Sequence, residues 1–334
     1  MSLRIPPEQM HAEFLRILIK YGFTQNKSET LAKLFTDNSI DGVYTHGVNR
    51  FARFILYIKE KCIDVNAEPE LTHSSGALEQ WNGNLGAGPL NAIHATKRSM
   101  ELADQFGIGC VALANTNHWM RGGTYGWVAA RSGYAFLGWT NTLALMPTWN
   151  ATNPKLGNNP IVFGAPYNNE AIVLDMAMSQ FSYGKLETAK RRNEELSHFG
   201  GFDSTGVLTK NAGEILETKR VLPMGNWKGA GLALLIDVLA TILSGGISTH
   251  EINKFKYEHS LSQVYISISL SRLGNSSSIT ETINNIINDY HSSIPVIDDQ
   301  KILYPGERVL NTRVENLKMG IPVDEEIWQE VLSI

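Results

Sequence analysis

The sequence predicts an α/β chain of the mixed α+β kind, with helices first and then strands and helices around a central sheet. Three observations predict it. Apolar residues fall at helical spacing through residues 1–61. From residue 75 onward, short apolar runs alternate with glycine turns and helical stretches. Residues 225–243 are apolar nearly all round, which reads as a buried helix.

The elements follow in order. Met10, Phe14, Ile17 and Leu18 share one helical face, and Tyr21-Gly22 closes that helix. Asn26 or Ser28 caps a second helix carrying Leu31, Leu34 and Phe35. A third follows Gly47, with Phe51, Phe54, Ile55 and Ile58 on one face. Residues 75–82 read as a strand. The glycine turn Gly86-Ala87-Gly88 then leads into a helix with Pro89 in its first turn, running to about Gln105. Strands are expected at 108–113, 134–139, 161–165 and 171–174, and helices at 122–131 and 180–193. Residues 197–213 read as loop, 263–269 as a strand, 279–290 as an amphipathic helix and 325–334 as a C-terminal helix. The expected division is a helical N-terminal subdomain, 1–74, packed with C-terminal helices from 300–334, and a mixed-sheet domain, 75–299.

Composition removes several function classes. The chain has 334 residues, with 29 Lys and Arg against 33 Asp and Glu, for a net charge of −4. No basic excess draws it to nucleic acid. Two cysteines, Cys62 and Cys110, exclude a disulfide scaffold and a Cys-rich zinc site, and no metal is expected. No run approaches ~18 uninterrupted apolar residues, and residues 1–17 lack a signal-peptide core. The expectation is a cytoplasmic protein that does not enter a membrane.

The familiar motifs are missing. Gly107-Ile108-Gly109 has a helix before it and a strand through it, the wrong context for a dinucleotide fingerprint. Gly86-Ala87-Gly88 has the right context but lacks the third glycine. No P-loop, H-E-x-x-H or G-x-S-x-G string occurs.

Three constellations remain. In Tyr44-Thr45-His46-Gly47-Val48-Asn49-Arg50-Phe51, His46 and Arg50 stand four apart, on one face if the segment is helical. Histidine can give a proton near neutral pH, and arginine grips a carboxylate with two hydrogen bonds. Together they suit reduction of a 2-oxo acid; a capping histidine beside a solvated arginine is the plainer reading. Asn117-His118-Trp119-Met120-Arg121 follows a buried strand at its carboxyl end, where ligands gather in α/β folds, though a polar capping loop would look the same. Gly225-Asn226-Trp227-Lys228-Gly229 opens the long apolar helix. It offers either free N–H groups and a cation for a phosphate or simply close helix packing.

Taken together, Tyr44-Thr45-His46-Gly47, Asn117-His118, Val173-Leu174-Asp175-Met176-Ala177 and Lys228-Gly229 resemble the type-2 malate/L-lactate dehydrogenase family, in the right order across nearly the whole chain. The resemblance implies an L-sulfolactate dehydrogenase-like, non-Rossmann nicotinamide-binding fold and a homodimer. It implies that His46 is the proton donor, with Arg50 and His118 at the catalytic site. It implies cofactor contacts from Ala171, Ile172, Val173, Leu174, Asp175, Met176 and Ala177, from Trp227 and Lys228, and from Gly306, Glu307 and Arg308. The longer strings narrow the resemblance to a branch whose members reduce a diketo sugar acid at C2. The implied cofactor is NADH, with NADPH as the alternative. Lys190, Arg191 and Arg192 could meet a 2′-phosphate or form a solvated helix face. Thr45 stands where many relatives carry serine, and the hydroxyl is kept. Competing readings are another 2-oxo acid, such as that of malate, lactate or ureidoglycolate, and an inactive sugar-acid-binding protein.

Overall fold

A seven-stranded, largely antiparallel sheet organises the chain, and the computed structural model describes residues 2–334. The first part comprises β1 (Ser2–Ile5), α1 (Pro7–Lys20), α2 (Gln25–Ile40), α3 (Val48–Lys59), β2 (Glu70–Ser75) and β3 (Leu78–Asn82). Then come α4 (Gly88–Phe106), β4 (Ile108–Thr116), α5 (Gly123–Arg131), β5 (Tyr134–Thr140), β6 (Ala144–Pro147), β7 (Pro154–Gly157), β8 (Ile161–Tyr167) and β9 (Glu170–Met176). Next are α6 (Tyr183–Arg192), β10 (Gly201–Phe202), β11 (Leu208–Thr209), α7 (Ala212–Thr218) and α8 (Trp227–Ser244). The chain closes with α9 (Thr249–Ile252), β12 (Leu261–Ser269), α10 (Ile279–His291), α11 (Glu307–Met319), β13 (Ile321–Asp324) and α12 (Glu325–Leu332).

The main sheet runs β2-β3-β4-β12-β5-β8-β9, and only β3 and β4 pair in parallel. It therefore lacks the doubly wound parallel topology of a Rossmann domain, as the missing glycine fingerprint requires. Helices α4 and α5 cover one face and α8 the other. Strand β9 lies at the sheet's edge.

The N-terminal helices form a second core, built on aromatic rings. Phe14 stacks on Phe51 at 4.1 Å, and Phe35 meets Phe51 edge-on at 5.1 Å. Strand β1 pairs with β13, so Ile321, Val323, Trp328 and Val331 join the same core. Both ends of the chain thus brace α3, the helix that carries Arg50. The cap of α2 differs from expectation. Thr24, not Asn26 or Ser28, accepts the Lys27 N–H, and Ser28 is buried inside the helix.

The largest departure is α8. Its inner face carries Gly229, Ala230, Ala233, Ile236 and Ala240, whose small side chains let the helix lie close to the sheet. Leu232, Leu235, Val238, Leu239 and Ile242 point outward and are exposed. The expected burial holds for one face only, because apolar composition on both faces hides which one packs. By length and mean hydropathy this helix alone among the described residues could cross a membrane, but Lys228 and Asp237 interrupt its apolar run and its inner face packs on the sheet. Residues 197–213 are less loop-like than expected. They contain the β10–β11 pair and lead into α7, held by a small core of Leu186, Ala189, Leu196, Ala212, Ile215 and Val221. The short β6 and β7 have no counterpart in the sequence reading, whereas α11 falls within the C-terminal helices expected at 300–334. On α10 only Ile287 is buried, while Ile286 is exposed.

Candidate functional site

The turn bearing His46 is not part of a helix with Arg50. Tyr44–His46 form one 3-10 turn, Gly47 breaks it, and α3 begins at Val48. Gly47 has a physical reason. A Cβ there would lie 2.2 Å from Ser39 Oγ, 2.9 Å from Ser39 N and 3.0 Å from the Phe35 carbonyl. The turn is thereby pressed onto α2, where Asn38 donates to the His46 carbonyl at 3.0 Å and Val48 N–H donates to Ser39 Oγ at 2.9 Å. Gly47→Ala should push the turn off α2. A thermal melt should show a loss of about 1–3 kcal/mol, the usual cost of overpacking, with lower activity in the folded fraction. An unchanged melting temperature contradicts this account of the turn.

His46 and His118 nevertheless lie side by side. Their rings lie nearly parallel, 11° apart, with centroids at 5.7 Å. Both line one cleft of about 420 Å³ with Arg50, Arg121, Thr142, Asn158, Asp175, Tyr183, Glu258 and Arg308. Burial, then Arg50, then Arg121 push the His46 imidazole down to about 3, so it is neutral in this cleft at pH 7. The Thr45 hydroxyl lies 3.2 Å from His46 Nδ1, leaving Nε2 unbonded. His118 is also pushed down, by burial first and then by Arg50. Its Nδ1 accepts the Met120 N–H at 3.0 Å, so the neutral ring carries its proton on Nε2 and offers that N–H as a donor.

The His118 loop is held from below. Asn117 donates to the carbonyls of Cys62, Leu85 and Gly86 at 2.9–3.0 Å. Gln263 on β12 donates to the Asn117 carbonyl at 3.1 Å, and Tyr265 donates to Gln263 at 2.6 Å. Gly88 opens α4 so tightly against this loop that a Cβ would sit 2.2 Å from the His118 carbonyl. Arg121 pairs with Asp41, which also binds Arg313 at 2.6 Å. Asp175 Oδ2 accepts the Gly123 N–H at 2.7 Å; the residue stays open to the cleft, and crowding by the cleft walls pushes its carboxyl up against the pull of Gly123 and Arg121. Arg50 differs from these groups. Among the described residues no hydrogen bond or ion pair engages its guanidinium, although burial and Arg53 press against its charge.

The three sequence segments expected to touch a cofactor gather along β9. The Val173 N–H donates to the Pro305 carbonyl at 3.1 Å, which docks Gly306 against the strand. The Met224 N–H donates to the Met178 carbonyl at 2.8 Å, which brings the start of α8 to the end of β9. The individual residues divide. Asp175, Ala177 and Arg308 line the cleft. Ala171 and Val173 turn their side chains into the core, leaving only their backbone available, whereas Ile172, Leu174 and Met176 are half-buried. The Glu307 carboxylate faces away, accepting from Tyr304 N–H and His291 at 3.0 Å each. Trp227, 64% exposed, and Lys228 lie outside the cleft of their own chain. Asn226 before them has φ 60° and ψ −120°, a strained conformation for a non-glycine residue.

A second cleft, of about 660 Å³, shares Val43, Thr45, Ser182 and Arg308 with the first and adds Lys185 and Arg192. Arg191 and Arg192 also approach Asp324, at 4.0 and 3.4 Å. Among the described residues no three His, Cys, Asp or Glu side chains are grouped to hold a metal. Thr142, Asn158, Tyr183 and Glu258 were missed from the sequence. None sits in a distinctive string, and three separate loops and a helix start bring them together.

Known proteins share this architecture. Sulfolactate dehydrogenase from Methanocaldococcus jannaschii superposes with a TM-score of 0.88 over 98% of this chain and 95% of that one, at 24% identity, which shows the fold. It is the fold of a class of non-Rossmann dehydrogenases. The sequence profile described as malate/L-lactate dehydrogenase matches residues 5–332, and the chain belongs to that family of oxidoreductases. The 2,3-diketo-L-gulonate reductase of Pasteurella multocida is 40% identical over 99% of this chain and 100% of its own length. The protein of the same name from Escherichia coli O6:K15:H31 is 39% identical over the same shares.

Proposed function

We propose that the chain reduces 2,3-diketo-L-gulonate to 3-dehydro-L-gulonate at C2, with NADH as the reductant. One observation carries this reading: a guanidinium without a protein partner, that of Arg50, shares a cleft with two imidazoles placed to act on a carbonyl. The full-length similarity to reductases of that name supports the substrate.

The residues fit a dinucleotide. The two clefts share Arg308, and in the outer one Lys185, Arg192 and Arg308 outnumber Asp324, which leaves a positive lining suited to a diphosphate. Asp175, Ala177 and Arg308 would hold the cofactor at the junction. When bound, a reduced nicotinamide supplies hydride. The chain's own residues do the rest. Arg50 binds the substrate carboxylate with its planar fork and so fixes the neighbouring carbonyl. His118 donates from Nε2 to the carbonyl oxygen as charge grows there. His46 delivers the proton. A carboxylate on Arg50 cancels the guanidinium's repulsion, the second cause after burial, which raises the share of His46 that takes up a proton from solvent and can pass it to the carbonyl oxygen.

The test is absorbance loss at 340 nm with 2,3-diketo-L-gulonate, pyruvate, oxaloacetate and 2-oxoglutarate, each with NADH and with NADPH. Turnover of the diketo acid with NADH is the expected result. Turnover of a simple 2-oxo acid alone keeps the chemistry and discards the substrate. No turnover with any of them overturns the reading.

We further infer a cytoplasmic homodimer in which a second copy covers the outer face of α8. That face is a continuous apolar stripe, and the helix that bears it begins at Trp227-Lys228, so assembly would also bury the exposed tryptophan. Leu235→Lys should convert a dimer to a monomer by size-exclusion chromatography with light scattering. A wild-type monomer, or a dimer indifferent to Leu235→Lys, contradicts the inference.

A further inference from the structure

The active cleft contains two carboxylates, and they are not equivalent. Asp175 is committed to the Gly123 N–H and lies beside Arg121. Glu258 is half free. Its Oε1 accepts the Leu143 N–H at 2.9 Å, while no donor among the described residues reaches Oε2. The residue is only 7% exposed, and it lines the same cleft as His46, Arg50 and Tyr183. Its segment is anchored from both sides. The Tyr257 ring packs on Tyr57 of α3 at 5.7 Å, and β12 starts at Leu261. Glu258 and Arg50 make no ion pair, so each charge remains available to a ligand. Oε2 keeps contact with solvent in the cleft, so a hydroxyl donor on a ligand can reach it.

We propose that Glu258 selects the far end of the substrate, accepting hydrogen bonds from hydroxyls on a neutral tail and rejecting acids that carry a second carboxylate there. This rests on the reading above, in which the first carboxylate sits on Arg50. A cation and an anion in one cleft orient a monocarboxylate in a single sense, with its carboxylate on Arg50 and its hydroxyl donors toward Glu258. Thr142 and Asn158, 3.0 Å from one another, extend the polar wall. A dicarboxylate such as oxaloacetate would set like charge against like at Glu258, which is selection by repulsion. A site built to bind hydroxyls also penalises substrates that lack them, since its own acceptor stays unpaired.

Glu258→Gln tests this, because the amide oxygen still accepts the Leu143 N–H while the charge is gone. The readout is kcat/KM for 2,3-diketo-L-gulonate, pyruvate and oxaloacetate, with a thermal melt and NADH fluorescence as checks on folding. The diketo acid should lose at least about tenfold, chiefly in KM, and oxaloacetate should gain at least about tenfold. Pyruvate, which has no tail, should change by less than about threefold. Equal changes in all three, or none, overturn the proposal. Failure of the substrate reading is a separate outcome. If wild type ignores the diketo acid but reduces pyruvate, the oxaloacetate-to-pyruvate ratio still decides, rising in Glu258→Gln if the proposal holds and constant if it does not. Should Glu258→Gln melt early, Glu258→Asp decides. It keeps the charge but withdraws it by one methylene, so tail affinity should fall while oxaloacetate stays excluded. An unchanged KM for the diketo acid, or admission of oxaloacetate, overturns it.

Discussion

His46→Gln should lower kcat for reduction by roughly 10²- to 10⁴-fold, the usual worth of a general acid, and leave NADH affinity nearly unchanged. Glutamine fills the same space and can hydrogen-bond the carbonyl, but it cannot give up a proton. An unchanged kcat would remove His46 from the proposed mechanism and leave His118 as the donor. The same variant should alter stability in acid. His46 sits at about 3 in the fold against an ordinary 6.5. Below 6.5 the unfolded chain takes a proton that the folded one refuses, so stability is full above that pH and declines as pH falls toward 3. His118 acts in the same direction. Melting temperature should therefore fall less steeply between pH 6.5 and 4 in His46→Gln than in wild type. Parallel acid limbs would mean that the imidazole is not neutralised by burial.

Arg50→Lys should raise KM for the 2-oxo acid by roughly one to two orders of magnitude, with a smaller fall in kcat. A lysine keeps the charge and loses the fork. Hydrogen bonds to a charged partner are worth about 1.5–3 kcal/mol each, and a point charge cannot reproduce two in a plane. Arg50 packs at the start of α3 without ion pairs to break, so the substitution tests binding rather than folding. An unchanged KM would transfer the carboxylate to another cation in the cleft, with Arg121 or Arg308 next in line. Arg121 is the weaker candidate, since Asp41 already holds it.

Much of this site is legible in the sequence because its polar residues come in short strings. His46 with Arg50, and His118 with Asn117, lie close enough along the chain to be read as units, and the fold does bring the two strings together. The local geometry is less legible. The sequence leaves open whether one helix joins His46 to Arg50; the chain breaks at Gly47, and the reason lies in Ser39 and Phe35, residues on another helix. Glu258 illustrates the limit. One glutamate before a strand looks like surface until Leu143 binds its carboxylate and Tyr57 packs on the neighbouring Tyr257. Periodicity fails differently at α8. Small residues on one face and large ones on the other are both apolar, so the pattern marks a helix without revealing which side meets the sheet. The α6–α7 region carries too few apolar residues to signal its small core.

The most direct test of the central proposal follows the hydride itself. NADH carrying deuterium at both C4 positions is incubated with enzyme and 2,3-diketo-L-gulonate, and the product is read by NMR and mass spectrometry. The account predicts one deuterium per product molecule, bound at C2. Deuterium at C3, or product formed without deuterium, would contradict it.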